Sequence, residues 1–167
     1  PTNTVLNLYD KDNDIRYNAY FTYDSIDAQT VPDFMITYCK KWPGNPELYE
    51  GKSNNINKTK AFRISEMYLI AAEAYAMSGD ETNASAMLNK LKTARVKGWS
   101  DKSYKGDALI KEIQDEYVRE LFGEQPYFFD LKRWKKGLNR SSSEAQDISY
   151  LPALGTDMVK SADDHMW

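Results

Sequence analysis

Three carboxylates, Glu116, Glu120 and Glu124, recur at every fourth position and would share one face of a helix running that far. Glycoside hydrolysis uses two carboxyl groups with the sugar held between them. Successive turns of one helix set such groups side by side rather than opposed. Arg119 and Lys111 stand where they would screen them, so ion pairing is the favoured role. Asp10, Asp12 and Asp14 are spaced like the start of a calcium loop, but Ile15 stands where that loop needs Gly and Phe21 where it needs Glu. An EF-hand is therefore excluded. His165 is the single histidine and Cys39 the single cysteine. Neither has partners at ligand spacing, so no metal site is expected, and Cys39, in the apolar run 34–39, reads as a small buried hydrophobe. The sequence offers no catalytic residue and calls for no cofactor.

What it does offer is flat rings on polar loops. Aromatic residues make up 13% of the chain, with 12 Tyr and 4 Trp, in an otherwise polar composition. Trp42, Asn45 and Tyr49 lie in one long turn-rich stretch; Trp99 and Tyr104, with Asp101 and Lys102 between them, lie in another. Rings that cover the C–H face of a sugar, beside amides or charges for its hydroxyls, are the chemistry of carbohydrate binding. For each ring the competing use is to anchor its loop to the core or to touch a protein partner, and anchoring is the commoner one.

These loops hang on a helical frame. Residues 62–78, FRISEMYLIAAEAYAMS, contain no Pro or Gly and are rich in Ala, Met and Leu, which predicts a helix. Ile64, Met67, Ala71 and Ala74 fall on one side and Tyr68, Ala72 and Tyr75 form a second row, so both faces are expected to be covered. Gly79 supplies a C-cap and Asp80 an N-cap for a helix over 82–97. There Ala84, Met87, Leu88, Leu91 and Ala94 face inward, Lys90, Lys92 and Lys97 face out, and Gly98 is the stop. Asp107 is the expected cap of a third helix with Ile110, Ile113, Tyr117, Leu121 and Phe122 inside, ending at Gly123. Pro126 opens a fourth over 127–136, before Gly137.

Upstream, 1–60 reads as loops and short strands, with an antiparallel pair from the alternation at 17–23 and the run 34–39. Residues 61–137 are the helical core. Residues 138–167 read as an irregular C-terminal wrap with one apolar patch at 150–154. The fold class is mainly α: tetratricopeptide-like helix hairpins with irregular loops and a few short strands. Tyr68, Ala71, Ala72 and Tyr75 on the first helix and Ala84, Leu88 and Leu91 on the second fit that repeat, in which antiparallel helices approach closely and stack on the next pair.

A chain of 167 residues with 41% hydrophobic content can form one domain with a real core. Its net charge of -3 comes without a basic run, which argues against nucleic acid or an anionic membrane surface as partner. No apolar stretch approaches the roughly 20 residues that span a bilayer.

Taken together, the motifs resemble the SusD/RagB family. They are Arg63-Ile-Ser-Glu66-Met-Tyr68-Leu69-Ile-Ala-Ala-Glu73-Ala74, then Leu88-Asn89 with Arg95, then 116–121 with Glu116 and Arg119. Phe129-Asp130-Leu131-Lys132-Arg133-Trp134 completes the series, and Asp14-Ile15-Arg16 resembles an upstream element. Order and spacing agree over residues 14–137; Tyr117, Gln125 and Tyr127 depart from the family pattern. The resemblance implies a non-catalytic cell-surface lipoprotein of the Bacteroides group. Such a protein binds oligosaccharide, polysaccharide or another nutrient and acts as a lid on a SusC-like TonB-dependent transporter in the outer membrane. It also implies that the sequence is the C-terminal portion of a longer chain, attached to the membrane through a lipidated N-terminus upstream. Arg63, Glu66, Glu73, Arg95, Glu116, Arg119, Asp130, Arg133 and Trp134 are taken as structural motif residues, and of these Glu66, Glu73, Arg95, Arg119, Asp130 and Arg133 are expected to pair with one another at helix interfaces, because lone buried charges are costly. Glu73 is expected to meet an Arg of the second or third helix. A tetratricopeptide scaffold for protein partners and, more remotely, a glycoside hydrolase remain the competing readings.

Overall fold

The computed structural model describes residues 1–28, 31–42, 44, 62–124, 127–140 and 158–161. The element order is α1 Asn3–Leu6, α2 Ile15–Tyr20, β1 Phe21–Ala28, β2 Val31–Cys39, α3 Ile64–Met77, α4 Glu81–Thr93, α5 Gly106–Leu121, α6 Tyr127–Arg133, β3 Leu138–Arg140 and β4 Met158–Lys160. The protein is mainly helical, as its periodicity predicts. The chain divides into two units, the larger being Tyr9–Phe21 with Cys39–Phe122 and the other Pro1–Leu8, Thr22–Tyr38 and Gly123–Trp167.

In the larger unit α3 packs on both α4 and α5, and α4 on α5. Gly79 carries a φ of 84°, a left-handed turn that glycine adopts without strain, and Asp80 caps α4 by accepting from the Asn83 N–H at 3.0 Å. The core between the three helices is Leu69, Ala72, Ala84, Leu88, Leu91, Leu109 and Ile113. α3 presents Ser65, Leu69 and Ala72 to it. On its other side Ile64, Met67, Ile70 and Met77 are exposed, as is Phe62 just before the helix, at 86%. Of the two apolar rows of this helix, the one through Ile64 and Met67 is left uncovered by the described residues.

Three further boundaries depart from expectation. Residues 17–20 belong to a helix, not to the predicted strand, because Asp14 caps it by accepting from the Arg16 N–H at 2.9 Å. α4 stops at Thr93 rather than 97, since the chain beyond it bonds to the segment before α2: Ile15 N–H to Arg95 O at 3.0 Å and Lys97 N–H to Asn13 O at 3.0 Å. α5 begins at Gly106, ahead of Asp107, whose carboxylate sits in the first turn instead of at the cap.

In the other unit α1 is capped by Thr2, and β1 and β2 are hydrogen-bonded neighbours. α6 ends at Arg133, short of the expected 136, because Lys135 takes a φ of 52° and Lys136 N–H reaches back to Leu131 O at 2.8 Å. Within 138–167 the described residues are not irregular: β3 and β4 pair antiparallel, Asn139 opposite Val159. Cys39 is exposed at the end of β2, not buried.

Candidate functional site

Along α5 the buried positions are not all apolar. Glu116 and Glu120 are each 0% exposed, in line with Leu109 and Ile113. Their charge is met by a cation lattice. Arg16 is gripped side-on by Asp14, Nε to Oδ1 at 2.9 Å and Nη2 to Oδ2 at 2.7 Å. Its Nη1 then spans Glu116 Oε1 at 2.6 Å and Glu120 Oε2 at 2.9 Å. Arg119 binds Glu116 Oε2 at 2.7 Å and also Glu112. Lys92 lies 2.5 Å from Glu112 and 3.3 Å from Glu116. This corrects the outward placement of Lys92, which is buried. Arg95 takes both oxygens of Glu120, at 2.9 and 2.8 Å, and Arg63 binds Oε1 as well.

Burial by itself would raise the Glu116 carboxyl, but Arg119, Arg16 and Lys92 outweigh it and hold it at about 2. Glu120 moves down as well, its desolvation overcome by Arg95, Arg16 and Arg63. A glycosidase acid needs the opposite, a carboxyl whose proton survives near neutrality. Both carboxylates stay ionised and hydrogen-bonded, and hold helices together. Beside them Tyr9, Tyr17, Phe21 and Phe122 form an aromatic cluster of tilted and edge-to-face pairs, the ring centres of Phe21 and Phe122 being 5.1 Å apart, and the Tyr9 hydroxyl donates to Arg119 O at 2.8 Å.

At the C-terminal end of α5 the lattice reaches the surface. The Glu120 carbonyl accepts from Arg63 Nη1 at 3.3 Å, Lys41 Nζ at 3.4 Å and the Tyr20 hydroxyl at 3.5 Å. Lys41 also donates to Phe122 O at 2.7 Å, lies 4.1 Å from the centre of the Tyr20 ring and 6.0 Å from that of Trp42. Cations at these carbonyls oppose the negative end of the helix dipole. Trp42 is 36% exposed.

A second construction joins α4 to the stretch 99–106. Glu81, Ser85 and Asn89 recur at i, i+4 and i+8, one line along the helix. Asn89 reads both polar atoms of the Lys102 peptide, Nδ2 to Lys102 O at 2.8 Å and Lys102 N–H to Oδ1 at 3.1 Å. Ser85 does the same at Tyr104, at 3.3 and 3.1 Å, and Glu81 accepts from Gly106 N–H at 2.7 Å. Four helical residues advance ~6.0 Å and two extended residues ~6.6 Å, so a three-rung match is geometrically natural. The Glu81 contact is also what starts α5 at Gly106: the cap comes from another helix.

The motif residues singled out from sequence fall into three groups. Arg63, Arg95, Glu116 and Arg119 come together in the lattice. Glu66 and Glu73 are half-buried on α3. Asp130, Arg133 and Trp134 belong to the other unit, where Arg133 lies 3.2 Å from Asp130 and over the Trp134 ring at 4.9 Å. Of the loop candidates, Trp99 donates to Asn89 Oδ1 at 3.2 Å and carries the ammonium groups of Lys92 and Lys102 at 4.8 and 4.6 Å from its ring centre. Tyr104 is half-buried, its hydroxyl pushed up to about 12 by desolvation. Asn45 and Tyr49 lie outside the described residues. Lys92, Glu112 and Tyr20 were missed as members; the 112–116–120 spacing was the available signal for Glu112, and nothing local marks the other two. Among the described residues no group of His, Cys, Asp and Glu is placed to hold a metal ion.

Neither a curated protein nor a solved structure matches the chain. A family model described as the SusD family matches residues 33–164, which includes α3 to α6 and the motifs they carry. By that match the chain belongs to the SusD family.

Proposed function

We propose that this protein captures an oligosaccharide or another nutrient at the cell surface, without turning it over, and delivers it to a SusC-like TonB-dependent transporter of the outer membrane. The SusD family is one of glycan- and nutrient-binding proteins associated with outer-membrane uptake. Attachment is proposed to be through a lipidated N-terminus, in keeping with a fold in which no described helix is long and apolar enough to cross a membrane.

The observation that carries the non-catalytic reading is the state of the carboxylates. Glu116 and Glu120 are locked in ion pairs at full burial, while the exposed Trp42 ring stands at the surface beside Lys41. Trp42, with Asn45 and Tyr49 following it in sequence, is the proposed stacking side; Trp99 and Tyr104 are proposed to flank it from the second loop. Calorimetric titration against plant and host polysaccharides tests the reading. Binding is expected, and Trp42→Ala should weaken it roughly tenfold, the worth of one good ring contact. Release of new reducing ends during incubation would overturn it in favour of hydrolysis.

One observation favours a protein-scaffold role as the second reading: the exposed apolar side chains of α3, Ile64, Met67, Ile70 and Met77, with Phe62 just before the helix. A protein that binds its transporter yet no sugar or other nutrient would select it.

A further inference from the structure

We infer that residues 101–105 form an open strand edge, a docking site for an extended peptide segment of a partner protein, which adds to it as an antiparallel β-strand. This goes beyond nutrient capture and does not depend on it. In an extended chain the N–H and C=O of one residue point to the same side, and those of the next residue to the other. The contacts with α4 follow that rule. Lys102 presents its N–H and C=O to Asn89 at 3.1 and 2.8 Å, Tyr104 presents both of its groups to Ser85 at 3.1 and 3.3 Å, and Gly106 presents its N–H to Glu81 at 2.7 Å. Lys105, between the last two, has a φ of -140° and a ψ of 153°, a strand conformation. Side chains of α4 thus stand in for a neighbouring strand along one edge.

The opposite edge is open. Among the described residues nothing bonds to the N–H or C=O of Asp101 or Ser103, or to the N–H of Lys105, whose carbonyl accepts from Leu109 N–H at 3.3 Å. Asp101, Ser103 and Lys105 are all exposed. Their outward groups recur at every second residue, ~6.6 Å apart, the repeat of an extended partner. An ordinary surface loop must be ordered before it can accept a strand; α4 already holds this one straight, which lowers the entropic cost of docking. Residues 99–106 contain no Pro to remove a donor. Alternation puts the side chains of 102 and 104 on one face and those of 101, 103 and 105 on the other. The first face is turned to the protein, since Tyr104 is half-buried and the Lys102 ammonium lies 4.6 Å from the centre of the Trp99 ring. The second carries opposite charges at its two ends, Asp101 and Lys105. An antiparallel partner is therefore selected by an acidic residue opposite Lys105 and, four positions later in its own sequence, a basic residue opposite Asp101. The short length and charged ends also keep the edge from pairing indiscriminately.

The heptapeptide Thr-Glu-Val-Thr-Val-Lys-Thr places its charges in that order, and titrating it into the unmodified protein while following amide exchange by nuclear magnetic resonance tests the inference. Binding is expected with a Kd of about 1 mM or tighter. At saturation, exchange should slow at least about fivefold at the Asp101, Ser103 and Lys105 amides and stay unchanged at Lys102 and Tyr104, which are bonded already. The same peptide methylated on the three amide nitrogens that face the protein keeps its side chains and loses its donors; it should bind at least about tenfold more weakly. Exchanging its Glu and Lys should weaken binding about threefold, and the double variant Asp101→Lys, Lys105→Glu should reverse that preference. Equal binding of the methylated peptide overturns the inference in favour of side-chain contact. No slowing at these amides with the peptide at about 5 mM overturns it outright. Slowing caused by a plant or host oligosaccharide and not by the peptide makes the edge a glycan subsite and overturns it as well. Nutrient capture is read by calorimetry and stands or falls separately.

Discussion

Lowering the pH should dismantle the α5 lattice, by an amount that follows from Glu116. Its carboxyl lies at about 2 in the folded protein against an ordinary 4.5. A folded-state value below the unfolded one means that the unfolded chain takes up the proton first as pH falls. Stability from this group is then fully present above about 4.5 and disappears as pH drops through about 2. The gap, at about 1.4 kcal/mol per pH unit, is worth about 3 kcal/mol. Glu120 is displaced in the same direction and adds to the loss. Urea unfolding followed by circular dichroism at pH 7, 5, 4, 3 and 2.5 should show stability level down to pH 5 and then falling with a slope approaching about 1.4 kcal/mol per pH unit for each proton gained. Glu116→Gln should cost about 3–5 kcal/mol at pH 7, since it leaves Arg16 and Arg119 facing a neutral group in a dry site. It should also flatten the acid limb. An acid limb of unchanged steepness in that variant would refute the assignment of the pH dependence to this carboxylate.

The second construction gives a sharper local test. Asn89→Ala removes three hydrogen bonds, to both atoms of the Lys102 peptide and to the Trp99 indole; about 2–3 kcal/mol should be lost, with faster amide exchange at Lys102 and a red-shifted tryptophan emission. Gly79→Ala should cost about 1–2 kcal/mol by urea titration from backbone strain alone, because φ is 84° and a Cβ there meets nothing within 4 Å. Lys111→Ala breaks an exposed i,i+4 pair with Asp115 and should change stability by less than about 0.5 kcal/mol in the same assay, the control against which the buried lattice is read.

The helices that position the site were legible because their signals are local. Asp80 and Gly79 mark the α3–α4 turn in their own side chains, and the 3.6-residue apolar period of α4 needs no knowledge of its neighbours. What was illegible depends on distant chain. The alternation at 17–23 imitates a strand; the Asp14 cap that starts the helix is local, but the pairing that holds Arg16 in it, with Glu116 a hundred residues away, is not. Lys92 carries no mark that distinguishes it from Lys90, yet one is buried against Glu112 and the other exposed. The start of α5 was misplaced because its cap belongs to Glu81. Glu116 and Glu120 were visible as a spacing and their pairing role was favoured; the identity of the cations, and the point where they reach the surface, was a matter of packing.

The rungs between α4 and the 99–106 stretch have an implication for how this surface can change. Asn89, Ser85 and Glu81 grip main-chain atoms, so they are indifferent to which side chains Lys102 and Tyr104 present. Such a loop is tolerant of substitution and intolerant of altered length: inserting or deleting one residue between 102 and 106 would put the spacing of 102, 104 and 106 out of phase with the helical ladder. New side chains can be displayed there on an unchanged backbone, which would let one scaffold present different outer surfaces while α4 stays as it is.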